Sequence, residues 1–169
     1  ALQHRGQEGC GIAVCEDGVI NFQKGLGLVG DVFDKTKLAS LKKANMAIDH
    51  VRYSTTGGNN INNVQPLVIR HNKGNLALAH NGNLTNAAEI REKFELDGAI
   101  FHGTSDTEDI AYTIVKEGLK SGSIEEAIKN SMQIIKGAYS CIAMSATKLI
   151  AFRDPNGFRP LCLGITNTG

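Results

Sequence analysis

The chain has 169 residues, of which 41% are apolar and 21% are charged, and its formal net charge is +1. This length and composition are typical of one globular domain with its own hydrophobic core, so we predict a single domain over residues 1–169. A charge so close to zero supplies no field that would attract nucleic acid or an anionic membrane. Apolar runs also stay well short of the ~18 residues that span a bilayer. We therefore expect neither partner.

Cysteine usage indicates a reducing compartment, and we expect a cytoplasmic protein. The four cysteines include no CxxC pair. Cys10 and Cys15 are five positions apart, which would put them on opposite faces of a strand. We therefore predict no metal site and interpret the cysteines as small apolar core residues.

The chain starts at Ala1 without a methionine, and its first residues lack the basic-then-apolar order of a signal peptide. We interpret the sequence as a domain truncated at both ends.

The first part of the chain predicts strands around one helix. Residues 11–14 and 19–23 read as strands and flank a Glu-Asp-Gly turn, which indicates a hairpin. Apolar residues between 32 and 41 have helical spacing, and this helix should end before Asn45. Residues 46–51 predict a strand that runs into a polar loop.

A second hairpin and three helices follow. Residues 67–70 and 76–80 predict two strands joined by Asn-Lys-Gly-Asn. Three pairs with capping-box spacing indicate helix starts: Asn86 with Glu89, Ser105 with Glu108, and Ser123 with Glu126.

Three strands are predicted to close the chain, at residues 139–146, 148–153 and 161–165. Because the strands come in hairpins and the helices follow one another, we predict antiparallel sheets with segregated helices, an α+β fold.

Four polar segments interrupt these elements. They are residues 3–9 (QHRGQEG), 50–58 (HVRYSTTGG), 80–84 (HNGNL) and 103–108 (GTSDTE). Each falls at the end of a predicted element, where functional sites tend to form. We therefore expect the chemistry of the protein in these segments.

The second polar segment can hold a carboxylate. Arg52 offers a planar fork of N–H donors, and the hydroxyls of Ser54 and Thr55 can add a further bond. The alternative is a solvated arginine at the end of a strand, and the sequence alone leaves both open.

The third and fourth segments also have two interpretations each. The Asn81 side-chain amide beside the unobstructed N–H of Gly82 can form an oxyanion hole, but Asn-Gly is also a common hairpin turn. Asp106 can bind a substrate ammonium, or its charge can simply favour the start of a helix.

Together and in this order, the four segments resemble the class II glutamine amidotransferase domain of the N-terminal-nucleophile type. Residues 2–9 (LQHRGQEG), 50–57 (HVRYSTTG) and 153–161 (RDPNGFRPL) are similar to the amidophosphoribosyltransferase family in particular. The resemblance covers essentially the whole chain. It implies an αββα four-layer sandwich that hydrolyses glutamine to glutamate and ammonia.

The resemblance further implies how glutamine would be held. Arg52 would bind the α-carboxylate with help from Thr55, and Asp106 would bind the α-ammonium.

Catalytic and supporting residues follow from the same resemblance. The Asn81 side chain and the Gly82 N–H would form the oxyanion hole, and His50 and Arg5 would support the site.

The nucleophile of this family is a mature N-terminal cysteine whose own α-amine acts as the general base, with a pKa of ~7.7–8.0. By the resemblance it lies upstream of Ala1, so we expect the chain as given to be inactive alone.

The resemblance also implies a phosphoribosyltransferase domain that this sequence does not contain. There Mg²⁺ would bind, and the ammonia would convert phosphoribosyl pyrophosphate to 5-phosphoribosylamine in the first step of de novo purine synthesis. No cofactor is expected in the present domain. Some relatives carry an iron–sulfur cluster, which the sequence leaves open, and the full-length protein is expected to be a homo-oligomer.

A second interpretation remains open. The chain can be a catalytically silent glutamine-binding or regulatory module of the same fold. The residues encoded upstream of Ala1 would discriminate between the two interpretations.

Overall fold

The computed structural model describes residues 3–41, 44–53 and 60–166. Within them the chain forms two antiparallel sheets with helices on their outer faces, which confirms the predicted α+β class. No helix in this described part is long and apolar enough to cross a membrane.

The first sheet contains three strands, β1 (Gly9–Glu16), β2 (Val19–Leu26) and β3 (Met46–Arg52), in the order β2-β1-β3. The predicted hairpin between β1 and β2 is confirmed. Its turn residues Asp17 and Gly18 both have positive φ, at 49° and 80°. Positive φ at both central positions is what a two-residue hairpin needs to follow the twist of its strands.

Two short helices, α1 (Val29–Val32) and α2 (Lys35–Ala39), replace the single helix predicted between residues 32 and 41. The prediction was wrong because Asp34 starts a new helix, where its side chain accepts a hydrogen bond from the Lys37 N–H at 2.7 Å. Val32 packs against Gly25 of β2, so α1 covers the outer face of the first sheet.

The second sheet has the order β4-β5-β6-β7. Its strands are β4 (Leu67–His71), β5 (Gly74–Leu84), β6 (Gly137–Met144) and β7 (Leu149–Arg153). The β4–β5 hairpin is confirmed, but β5 continues four residues beyond the predicted end at His80. The third polar segment therefore belongs to a strand that is paired with β6.

Side chains alternate along β5 between two cores. Ala77 and Ala79 face the first sheet, whereas Leu76 and Leu78 face the helices. Among the described residues, the buried side chains of the inner core between the sheets are Ala13, Cys15, Ile20, Ile48, Ala77, Ala79 and Met144.

The outer face of the second sheet is covered by α3 (Ala87–Leu96), α4 (Asp106–Gly118) and α5 (Ile124–Ser131). Two of the three predicted starts are capped by a side chain: Ser105 accepts from the Thr107 N–H, and Ser123 accepts from the Glu126 N–H. Asn86 makes no such bond. With α1 on the opposite side, the order of layers is helix, sheet, sheet, helix, as predicted.

The strand predicted at residues 161–165 is absent from the structure, which describes residues 154–166 without any strand. In the described part of the chain these residues pair with no strand, and Leu163 and Ile165 remain 93% and 87% exposed. Local sequence thus predicted a strand where none forms.

Candidate functional site

One cavity of about 460 Å³ lies at the end of β3, along the last residues of β5 and at the start of α4. All four polar segments contribute to its walls. The predicted site residues that line it are Arg5, His50, Arg52, Asn81, Gly82 and Asp106. The structure thus brings six of the seven predicted residues together, and Thr55 lies outside the described residues.

Arg52, the last residue of β3, is only 5% exposed. Its Nη1 lies 3.5 Å from Oε2 of Glu8, and its backbone carbonyl accepts a hydrogen bond from the Glu8 N–H at 3.1 Å. The alternative of a solvated arginine at a strand end is therefore wrong. A buried guanidinium on the wall of a cavity keeps its attraction for an anion, because little water screens it.

The end of β5 leaves one of its edges open. The last β4–β5 pair joins Leu67 and Leu78, and no described strand follows on that edge. Residues 80, 82 and 84 direct their N–H groups to this edge, because alternate residues of a strand point the same way. The His80 N–H donates to Gln65 Oε1 at 2.6 Å, and the Leu84 N–H donates to Asp106 Oδ2 at 2.8 Å.

Gly82 lies between His80 and Leu84, whose N–H groups are both hydrogen-bonded to side chains. Its partner in the register is Tyr139 of β6, but the N–H and the carbonyl of Tyr139 bond to Asp154 on the other side of that strand. The Gly82–Tyr139 pair is therefore a non-hydrogen-bonded pair. The Gly82 N–H points away from β6, towards the edge on which the cavity opens.

No side chain fits at position 82. A Cβ there would stand 2.0 Å from the carbonyl oxygen of Ala138, and φ of Gly82 is +146°. Asn81, directly before it, is paired with Ser140 inside the sheet. The alternative of a plain Asn-Gly turn is therefore wrong, and the two residues lie in a strand that passes the cavity.

Asp106, the first residue of α4, is tied to β5 and not merely placed to favour the helix. While its Oδ2 accepts from Leu84, its Oδ1 lies 3.5 Å from Nδ1 of His80. The carboxylate is thus held between the strand and an imidazole at the edge of the cavity.

The loop before α4 is fixed by Arg91 of α3. The guanidinium donates to the carbonyls of Gly103 and Ser105, at 2.9 and 3.2 Å, and pairs with Asp109 at 3.3 Å. It also stacks 4.1 Å over the ring of Phe101. This network determines where α4 begins and so where Asp106 lies.

Two histidines, His50 and His80, line the cavity. Burial, followed by repulsion from His80, lowers the pKa of His50 from 6.5 to about 4. Burial also lowers the pKa of His80, and Arg159 lowers it further, although Asp106 acts in the opposite direction. With a pKa of about 4, the His50 imidazole is neutral at pH 7. Within the described part of the chain, the buried His50 Nδ1 and His80 Nε2 have no hydrogen-bond partner.

Arg159 reaches the cavity from the segment that follows β7. Asp154 holds this segment by accepting hydrogen bonds from the N–H groups of Tyr139, Asn156, Phe158 and Arg159 at 3.0–3.3 Å. Burial alone would raise the pKa of Asp154, but these donors outweigh it and lower the pKa.

None of the four cysteines lines the cavity, and the structure describes all of them. Cys10, Cys15 and Cys141 are buried, and burial raises the pKa of the Cys10 and Cys141 thiols. A thiol with a raised pKa is a poor nucleophile at neutral pH. Across the described ranges, no group of three or more His, Cys, Asp or Glu side chains is placed to hold a metal ion.

Of the cavity residues that were not predicted as site residues, three have contacts that matter for its geometry: Gln65, His80 and Arg159. His80 and Arg159 lie inside motifs noted for other residues, so their position in those motifs was an available signal. Gln65 gave no signal, because its importance depends on a contact with His80, 15 positions away.

The chain is similar to known proteins in both sequence and fold. The family described as "Glutamine amidotransferase domain" matches residues 50–169. The amidophosphoribosyltransferase of Methanocaldococcus jannaschii is 49% identical over 97% of this chain and 35% of its own length. That of Bacillus subtilis is 46% identical over 98% of this chain and 34% of its own length.

A solved structure is also similar. The glutamine phosphoribosylpyrophosphate amidotransferase of B. subtilis, complexed with ADP and GMP, superimposes with a TM-score of 0.87 at 44% identity. The match covers 98% of this chain and 35% of that chain. The present chain thus spans about a third of the length of the relatives it matches.

Proposed function

The chain belongs to the glutamine amidotransferase domain family, and on this premise we propose that its cavity binds glutamine and hydrolyses the side-chain amide to give glutamate and ammonia. The observation that carries the proposal is the set of residues that line this one cavity. A buried arginine, a tethered aspartate and an Asn-Gly pair with an outward N–H surround a space suited to a small amino acid.

Arg52 and Asp106 would fix the amino-acid end of glutamine. The guanidinium of Arg52 would bind the α-carboxylate, and Oδ1 of Asp106, which is not used by Leu84, would accept from the α-ammonium. The family resemblance adds Thr55 as a second contact to the carboxylate. Arg5 and His50 would support these residues from the wall and the floor of the cavity.

Asn81 and Gly82 would stabilise the transition state. Attack on the amide carbon places a negative charge on its oxygen. The Asn81 side-chain amide and the Gly82 N–H would donate to this oxygen from adjacent positions of one strand. Such donors are already in position when the charge develops, because β6 holds β5 in place.

The nucleophile would be a cysteine that precedes Ala1. The four cysteines of this chain support this proposal, because none lines the cavity. The incoming thiolate would form a thioester and release ammonia, and water would then release glutamate. The α-amine of that cysteine would carry the proton.

For the whole protein we propose amidophosphoribosyltransferase activity, in which the ammonia reacts with phosphoribosyl pyrophosphate to give 5-phosphoribosylamine for purine synthesis. The names and the high identity of the two relatives above support this assignment. Mg²⁺ would bind in the phosphoribosyltransferase part of the protein, and the assembly would be a homo-oligomer. Four free thiols support a cytoplasmic location.

Glutamate release by the full protein tests the proposed function. Asn81→Ala removes one donor from the oxyanion hole and should lower kcat by about 10²–10³-fold. Asn72→Ala, at an exposed turn outside the cavity, is the matched control and should keep wild-type activity. A wild-type protein that binds glutamine without releasing glutamate would instead indicate a silent glutamine-binding module.

A further inference from the structure

The open edge of β5 presents three N–H groups to the region of the cavity, but the proposed reaction uses only one of them. The N–H of His80 is taken by Gln65, and the N–H of Leu84 is taken by Asp106. Only the N–H of Gly82, between them, is left for the substrate. Asp106 has a proposed role of its own in binding glutamine, whereas Gln65 has none.

Gln65 is well placed to be a fixed anchor. It is 7% exposed, and its Oε1 accepts from the His80 N–H at 2.6 Å in a buried environment. Its backbone carbonyl packs closely against Gly11 of β1, since a Cβ added to Gly11 would lie 2.4 Å from that oxygen. The residue therefore bridges the first sheet and the open edge of the second.

The residues that precede Gln65 are also held on both sides. The Val64 carbonyl accepts from Lys24 Nζ of β2 at 2.9 Å. Asn63 exchanges two hydrogen bonds with Thr104 in the loop before α4, at 2.9 and 3.0 Å. Gln65 thus does not depend on its own side-chain bond to stay in place, and its amide is pre-positioned for β5.

We propose that Gln65 is a positioning residue for the oxyanion hole. By accepting the N–H of His80, two residues before Gly82, it fixes the path of β5 where neither β4 nor any other described strand supports that edge. The orientation of the Gly82 N–H follows from this path. The inference rests on the proposed glutamine hydrolysis, to which it adds a residue outside the substrate contacts.

Gln65→Met removes the acceptor and keeps the length and approximate volume of the side chain. A misdirected Gly82 N–H would no longer donate to the negatively charged oxygen of the transition state. The kcat with glutamine should therefore fall about 10-fold or more. The KM for glutamine should change less than about threefold, because Arg52 and Asp106 are untouched. Activity with ammonia as nitrogen donor should stay at the wild-type level, since ammonia bypasses the site.

The matched control is Gln133→Met, at an exposed position outside the cavity, which should leave all three quantities unchanged. Gln65→Asn keeps the amide but shortens its reach, and it should give a smaller kcat loss with the same unchanged KM. This milder variant tests the proposal even where Gln65→Met does not fold. Amide hydrogen exchange at His80, read by NMR, should accelerate in both variants.

Two results would overturn the role of Gln65. One is a wild-type kcat in Gln65→Met or Gln65→Asn while His80 exchange accelerates. The other is an equal loss with glutamine and with ammonia, which would indicate a purely structural residue. Glutamate release by the wild-type protein and by Asn81→Ala, measured in parallel, separates this failure from failure of the proposed function. A wild-type protein that releases no glutamate would invalidate both, whereas an active wild type with an impaired Asn81→Ala variant would leave the proposed function standing.

Discussion

Arg52 and His50 lie two positions apart on β3, and both line the same cavity, yet burial acts on them in different ways. Burial shields the guanidinium of Arg52, which is paired with Glu8, from the water that would screen its charge. For His50 it disfavours the protonated ring, and repulsion from His80 adds to this effect. The two side chains should therefore respond differently to substitution and to pH.

Arg52→Lys should weaken glutamine binding without affecting the use of ammonia. Lysine keeps the charge but loses the planar fork that binds a carboxylate at two points. We expect the KM for glutamine to rise about 10-fold or more, as for the loss of one charge-assisted hydrogen bond. Steady-state kinetics of the full protein with each nitrogen donor measures this. A similar loss with both donors would show that Arg52 supports the fold and not the substrate.

The pKa of His50, about 4, predicts acid sensitivity. Because the pKa is lower in the folded state than the ordinary 6.5, the unfolded state binds the proton first as the pH falls. The contribution of His50 to stability is thus complete above about pH 6.5 and is lost as the pH falls to about 4. The loss can reach about 3 kcal/mol.

Denaturant titrations between pH 4 and 8 measure this effect. His50→Gln should show a shallower fall of unfolding free energy over that window, with the remaining slope due in part to His80. Identical slopes in the two proteins would contradict the assignment.

At the scale of single elements, local sequence predicted the helix starts at Ser105 and Ser123 well, because a cap depends on neighbours only two or three residues away. It failed for the end of β5. Asn81-Gly82 is typical of a turn, but pairing with β6 keeps the two residues extended. That pairing involves residues almost 60 positions away, which no local pattern reports.

Gly82→Ala should therefore damage the sheet as well as the site. An added methyl group would collide with the backbone of Ala138, which cannot move without breaking the register of β6. We expect a loss of about 2–4 kcal/mol in unfolding free energy, typical of strain combined with overpacking. Gly74→Ala, also at positive φ but with open space around it, is the control for backbone strain alone. Equal destabilisation by both variants would contradict the collision.

Arg91 offers a test of how α3 positions α4. Burial raises the pKa of Asp109 to about 6, although Arg91 partly offsets this. Arg91→Met leaves a buried carboxylate without its cation and should destabilise the protein by about 2–3 kcal/mol at neutral pH. The deficit should shrink at pH 5, where Asp109 is largely protonated.

The control for Arg91→Met is Lys116→Met, which breaks the exposed Lys116–Asp97 pair and should cost less than about 1 kcal/mol. Chemical unfolding at pH 5 and 8 compares the two variants. A deficit in Arg91→Met that does not depend on pH would mean that Asp109 is not the group responsible.

At the scale of the whole molecule, the class of fold and most of the candidate site followed from the sequence, because the four polar segments are each contiguous. Gln65 did not, since it reaches the cavity only through the way distant elements pack. The strand wrongly predicted at residues 161–165 has the same origin. A pattern describes what a segment can do, whereas the available partner strands decide what it does.

Arg159, in the segment after β7, lines the cavity and influences the pKa of a histidine there. Since Arg159 lowers the pKa of His80, Arg159→Met should raise that pKa towards its ordinary value. NMR titration of the imidazole C–H signals measures the change, with the exposed Arg153→Met as a nearby control. An unchanged His80 titration would show that the Arg159 charge does not reach the ring.

The hold of Asp154 on the residues after β7 also bears on how this domain can be exchanged between proteins. The last strand that the structure describes ends at Arg153. A chimera joined there would keep all the described strands and helices, and it would still lose the carboxylate that ties Tyr139 to Arg159. The segment that must be exchanged as one piece therefore extends past the last described strand, and a chimera that keeps this contact is joined beyond Arg159.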